Sequence, residues 1–332
     1  MKAKSINNIH LGYIFGLGSG FTWGLDTVLI GLVMTMAPFV ENPLLIIGGV
    51  FICSMLHDVL AAFWMFVVMG FKGRLRELGK ALCTRDGLFC FLGALFGGPL
   101  AMTFYVLAVS HGGAALTATV TACYPLLGSA LAVLILKEKM PFRGWLGLCI
   151  CIMGIAYIGY APSGNQHINI GMGITLAAVA AIGWALEAVV CGYGMKGGKV
   201  DPFMALLIRE MTSGLVYILL VVPIMLGGFP SMISGVFTVF SDSITSVTLL
   251  MTALIGMSSF IMWYTAIDSI GAARSLCLNV TYSFWTVVLS FLFFGAEMSI
   301  NILVGVLMVI TGVAVATLLS KKQKLQNKIE LC

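Results

Sequence analysis

Six ionisable side chains sit deep inside long apolar runs of this chain: Asp26, His57, Asp58, Glu187, Arg209 and Glu210. At mid-bilayer a charge costs about 2.5 kcal/mol or more even on lenient insertion scales, so residues kept there mark a function or a buried partnership. Four carboxylates face one guanidinium and one imidazole, and the set is short of positive charge. Carboxylates in a low dielectric drift to the neutral form unless a cation holds them charged. The chemistry that fits is reversible occupancy by a cationic solute together with a coupling ion, H+ or Na+. No nucleophile–base set and no metal-like spacing accompanies these groups, so the expectation is a non-enzyme with no catalytic residues, cofactor or bound metal. His57 and Asp58 lie on different faces of one helix, one toward the cavity and the other toward a neighbouring helix. Arg209 and Glu210 are either gating groups or a structural buried pair.

Aromatic residues accompany the charges at helical spacing. Trp23 shares a helix face with Asp26, and Trp184 with Glu187. Thr117, Thr121 and Tyr124 line one face; Ser275, Asn279 and Tyr282 line its counterpart, with Trp285 further along. Trp263, Tyr264 and Tyr105 complete the set. Brought together, these faces would make an aromatic box with a carboxylate wall. That arrangement suits a quaternary ammonium group, each desolvated cation–π contact being worth ~0.5–2 kcal/mol. For any single ring the plainer reading is packing or interfacial anchoring.

The elements that position these groups are duplicated. Trp23-Gly24-Leu25-Asp26 recurs as Trp184-Ala185-Leu186-Glu187. At slightly shorter offsets Gly98 and Gly113 match Gly256 and Gly271, Gly147 and Gly154 match Gly305 and Gly312, and Pro43 matches Pro202. Ten apolar stretches predict transmembrane helices 1–10 over 11–35, 43–69, 87–110, 113–136, 142–161, 168–195, 202–228, 244–268, 271–294 and 298–320. Five spans per half is an odd number, so the halves face opposite ways across the bilayer, an inverted-repeat plan. Residues 1–162 form the first five-helix repeat. Residues 163–332 form the second, entered through a Pro-Ser-Gly-Asn linker near 162–168 and ending in a short basic tail. Gly97-Gly98-Pro99 and Pro125 should bend or unwind helices 3 and 4, with the freed backbone facing inward. The stripe Gly12, Gly16, Gly20 and Gly24 lets a neighbour approach helix 1 closely, as a sliding surface or as static packing.

Composition excludes a soluble globule. The chain has 332 residues, 60% hydrophobic and 9% charged, against about 25% charged in soluble domains. Its net charge of +5 does not point to nucleic acid. With the N-terminus placed in the cytoplasm, every Lys and Arg except Arg209 falls on the inner side, which makes both termini cytoplasmic. The first apolar run is too long for a signal-peptide core and is kept as helix 1. Nine scattered cysteines read as small buried apolar residues. Glu138 and Glu297 sit near helix ends, where structural roles fit, while His10, His111 and His167 carry little information. The partners expected are a small cation, its coupling ion and membrane lipid. Oligomeric state is left open.

Ten helices in an inverted repeat, a tryptophan in the first helix of each half and Leu136-Lys137-Glu138-Lys139 after helix 4 resemble the drug/metabolite transporter (DMT) superfamily, in its EamA group. His57-Asp58, Gly98-Pro99, Tyr124-Pro125, the stretch 206–210 (LLIRE) and the stretch 278–287 (LNVTYSFWTV) further resemble bacterial choline permeases that feed phosphocholine decoration of surface polymers, the Lic pathway. The resemblance implies an all-α integral membrane fold in the bacterial plasma membrane and proton-driven choline uptake by alternating access. On the matching positions it implies that Trp23, Tyr124, Trp184, Tyr282 and Trp285 surround the ammonium. Glu187 would be its anionic partner, and the His57-Asp58 and Arg209-Glu210 pairs would couple protonation to gating. Asp26 is not a hallmark of the family. Other superfamily members export amino acids or move nucleotide sugars, so export of a small metabolite is the alternative.

Overall fold

Apolar runs bounded by proline, glycine and polar caps become the membrane helices. In the computed structural model, which describes residues 6–159, 169–295 and 300–317, the first half has five of them. Helix 1 is Ile6–Met34, helix 2 Pro43–Phe71, helix 3 Arg85–Gly112, helix 4 Ala114–Thr121 with Tyr124–Ile135, and helix 5 Phe142–Gly159. The second half repeats the series. Helix 6 is Ile170–Lys196, helix 7 Pro202–Leu226, helix 8 Ser243–Ile270, helix 9 Ala272–Asn279 with Tyr282–Phe294, and helix 10 Ile300–Thr317. Eight of these are long and apolar enough to cross a membrane, and helices 5 and 10 offer the shorter apolar segments Phe142–Ile158 and Ile300–Ala316. At 1.5 Å per residue such a segment reaches roughly 25 Å, the short end of the spanning range. The expected linker at 162–168, His167, Glu297 and the basic tail lie outside the described residues.

Three connections that read as plain loops contain short helices: Ala37–Glu41, Glu77–Leu82 and Phe229–Ser241. Helix starts follow local chemistry. Asn42, Asn169, Asp201 and Asp242 each accept a hydrogen bond from a first-turn amide, and Pro43 and Pro202 stand where an N–H would go unpaired.

Counterpart helices meet each other across the halves: helix 2 packs on helix 7, helix 4 on helix 9 and helix 5 on helix 10. Helices 1 and 6 pack chiefly on helices 8 and 3, which are again counterparts. In the helix 5–10 seam Gly147 lies against the backbone of Gly312, and Gly154 against that of Gly305. Lipid supplies no hydrophobic drive to associate, so this seam depends on close backbone approach. The helix 1 stripe seats the end of helix 8 and helix 9, with Gly16 against Leu278 and Gly24 against Trp285.

Helix 3 widens to a π-turn at Phe96–Leu100, where Gly97-Gly98-Pro99 predicts a break. Helix 4 breaks between Thr121 and Tyr124, as Pro125 requires. Helix 9 breaks at the counterpart place, between Asn279 and Tyr282, without a proline. Helix 7 carries a second π-turn, Tyr217–Val221, ahead of Pro223. The last two breaks were not anticipated from sequence.

Candidate functional site

All six membrane-depth ionisable residues join one network. Asp26 on helix 1 meets His57 Nε2 on helix 2 at 3.1 Å, and His57 Nδ1 lies 3.3 Å from Asp58 Oδ1. Asp58 accepts from the Ser213 hydroxyl and lies 3.4 Å from an Arg209 nitrogen, both on helix 7. Arg209 also donates to Glu210 at 2.9 Å and, through Nε, to Glu187 on helix 6 at 3.2 Å. Glu187 in turn accepts from the Tyr264 hydroxyl of helix 8 at 3.1 Å. The six groups are 0–8% exposed. His57 and Asp58 therefore do not divide between a cavity and a neighbouring helix. Their different faces let one reach helix 1 and the other helix 7, so both enter the same network.

The local sequence makes room for it. Glu187 lies over Gly97, where a β-carbon would overlap the carboxylate, and Ser213 lies over Gly98 in the same π-turn. His57 and Asp26 lie over Gly256, the counterpart of Gly98 on helix 8. Each carboxylate of the duplicated Trp–acid motif is thus accommodated by a glycine of the helix packed against it.

The aromatic residues form two cross-repeat pairs. Trp23 stacks on Tyr282 with ring centroids 5.1 Å apart, and its counterpart Trp184 meets Tyr124 edge-on at 5.8 Å. Phe260 and Trp263 lie 5.9 and 6.2 Å from Trp23, and Tyr105 lies 5.4 Å from Trp184. Tyr124, Trp263 and Tyr264 belong to one buried cluster against which Trp184, Phe260 and Tyr282 pack. The ring group touches the charge network twice, through Tyr264 to Glu187 and through Phe260, over which the Arg209 guanidinium sits at 4.2 Å.

Other expected members are placed differently. Trp285 packs its ring on Phe21 at 5.0 Å and on Phe284 at 4.8 Å. Asn279 is fully buried; its carbonyl accepts from Tyr124 at 3.1 Å and its amide donates to Ser19 at 3.0 Å. It positions Tyr124 and ties the break in helix 9 to helices 4 and 1, its carbonyl and amide each engaged by protein. The Thr117 and Thr121 hydroxyls bond carbonyls of their own helix. Glu187, cast as the partner of an incoming ammonium, already faces Arg209. Glu138 is structural in a specific way: its carboxylate accepts from the Ala272 and Ala273 amides at 2.9 Å and caps the start of helix 9.

Sequence reasoning missed Ser19, Ser213 and Phe260. Each stands one helical turn from a residue it did find (Trp23, Arg209 and Tyr264), and that spacing was the available signal.

Comparison with known proteins agrees with this architecture. The model of the EamA-like transporter family matches the chain twice, over residues 10–160 and 171–318. The chain belongs to the EamA-like transporter family. Among its EamA relatives is Protein LicB of Haemophilus influenzae, 24% identical over 94% of this chain and 99% of that protein. The uncharacterized transporter YvbV of Bacillus subtilis is 26% identical over 60% of this chain and 62% of its own length. A solved crystal structure superposes with a TM-score of 0.69 at 16% identity, covering 94% of this chain and 98% of that one, a likeness of fold alone. This EamA chain is an integral membrane protein of transporter type, and its substrate is a small molecule.

Proposed function

We propose that the chain imports choline or a closely related quaternary ammonium cation, coupled to protons, by alternating access between two inverted repeats, 1–162 and 163–332. The membrane is the bacterial plasma membrane, with both termini cytoplasmic. One observation carries the reading: the Trp23–Tyr282 and Trp184–Tyr124 pairs adjoin a network of four carboxylates, one guanidinium and one imidazole. Fully ionised carboxylates would leave that network at net −2 even with both basic groups charged. Protons, a substrate cation or both must balance it.

The residues then divide the work. The ring faces bind the ammonium, three such contacts supplying roughly 2–6 kcal/mol of the about 8 kcal/mol that micromolar affinity needs. Arg209, over Phe260 and against Glu187, holds the place of a resident cation. An incoming ammonium relieves it of Glu187, and Arg209 stays with Asp58 and Glu210. The His57 bridge joins Asp26 of helix 1 to Asp58 of helix 2, and Asp58 contacts Arg209 and Ser213 of helix 7, so a proton gained or lost there is felt in both repeats. The alternative, export of an amino acid or other metabolite, needs a group to receive the substrate carboxylate. Arg209 is already committed to three carboxylates, which disfavours it.

The test is uptake of radiolabelled choline into proteoliposomes under an imposed pH gradient, with Glu187→Gln and Trp184→Ala beside the wild type. Both variants should stay folded and lose uptake. Normal transport by both, or no choline binding by the wild type at millimolar concentration, defeats the proposal.

A further inference from the structure

The N-terminal caps of helices 2 and 7, Asn42 and Asp201, are counterparts in the repeat, and each reaches across to the other half. Asp201 receives Arg74 Nη1 at 2.6 Å, and Arg74 also pairs with Glu77 at 2.7 Å. One turn away the Lys72 ammonium sits 4.0 Å from the centre of the Phe203 ring. Asn42, by contrast, reaches the other half through the Thr238 hydroxyl, at the 3.5 Å limit of a hydrogen bond. Beside that weak contact lies a cavity of about 400 Å³ lined by Ala37, Glu41, Asn42, Thr238, Ser241 and Asp242.

The two contacts lie at opposite ends of helix 2. Arg74 follows the C-terminal end of helix 2 and Asn42 precedes its N-terminal end, and the helix between them has 29 residues, roughly 43 Å at 1.5 Å per residue. We infer that these contacts are a pair of unequal latches between the halves: an ionic latch, Arg74–Asp201, closing one face, and a neutral one, Asn42–Thr238, leaving the other face easier to open. An exact inverted repeat would be equally ready to open on either side. Asn in place of Asp at the counterpart cap, with Ile233 at the position matching Arg74, removes that equality while keeping both helix caps, because both residue types cap well. The inference rests on the alternating access proposed above, not on its cargo.

The experiment is hydrogen–deuterium exchange on the full-length protein in nanodiscs without substrate. It compares wild type, Asp201→Asn, Arg74→Gln and the double variant Asn42→Asp/Thr238→Arg. The two single changes should raise exchange of residues 72–84 and 197–207 about two- to five-fold, the range open to an exposed ion pair. They should lower exchange at 36–45 and 236–245 together with that rise. The double variant should move both regions the opposite way. A rise at the ionic face with no matching fall at the other would show a purely local brace and overturn the inference, as would no change at either face. If the double variant fails to fold, the single variants decide. Because no substrate is present, a failed choline assay leaves this result standing.

Discussion

Glu187 shows how tightly single residues are matched at this site. Its carboxylate is held by Arg209, Tyr264 and the bare backbone of Gly97. Gly97→Ala should therefore act as a displaced Glu187: uptake falls at least ten-fold while the protein remains monodisperse, checked by transport beside size-exclusion chromatography. Asn279→Ala removes the acceptor of the buried Tyr124 hydroxyl. It should cost ~1–3 kcal/mol of stability, seen as a lower melting temperature in detergent. His57 bridges two carboxylates, so His57→Gln should flatten the pH dependence of uptake more than it weakens choline affinity. Unchanged pH dependence with weakened affinity would place the imidazole with the substrate instead. Residue types and the duplicated Trp–acid motif made most of this cluster legible. The partner of each group was not, because a helix face names a direction and never the side chain it meets.

At the scale of elements, the paired breaks in helices 4 and 9 bring Tyr124 and Tyr282 to the start of their second segments, opposite Trp184 and Trp23. Pro125 announces one break; the other is held by Asn279 bonding Tyr124 and Ser19, and by Thr281 bonding the Leu278 carbonyl. Irregular backbone at membrane depth persists only where protein satisfies it. The Thr281 hydroxyl satisfies the Leu278 carbonyl within helix 9 itself, while Asn279 ties the break to helices 1 and 4 through partners that no local signal reveals. The helix 5–10 seam is a contrasting element, far from the rings. A β-carbon at Gly154 would stand 2.6 Å from the Gly305 carbonyl, so Gly154→Leu should cost about 1–3 kcal/mol by overpacking. Its measurable sign is a lower melting temperature, with transport per folded molecule kept.

For the whole molecule, counterpart helices 2 and 7, 4 and 9, and 5 and 10 pack together across the halves, and the charge network spans them. Groups from helices 1 and 2 share charge with groups from helices 6 and 7, so reorienting one half against the other must break or remake a charged contact. Coupling by protons then predicts that a protonophore abolishes choline accumulation in proteoliposomes, while replacing Na+ with K+ leaves it unchanged. Loss of uptake on Na+ removal would assign the coupling to Na+.

Composition, hydropathy and internal repetition determined by themselves that this chain is a membrane protein of ten helices in two related halves, because span length and register are properties of local sequence. They also singled out the six ionisable side chains that prove to share one network, since charges at membrane depth are too costly to be incidental. Tertiary structure alone decided the partnerships: Arg209 rather than open space beside Glu187, Trp285 turned to Phe21, Asn279 spent on Tyr124, and a salt bridge at one helix cap where its counterpart has none. Each depends on which distant residue packing brings within about 3 Å, and spacing along the chain does not contain that distance.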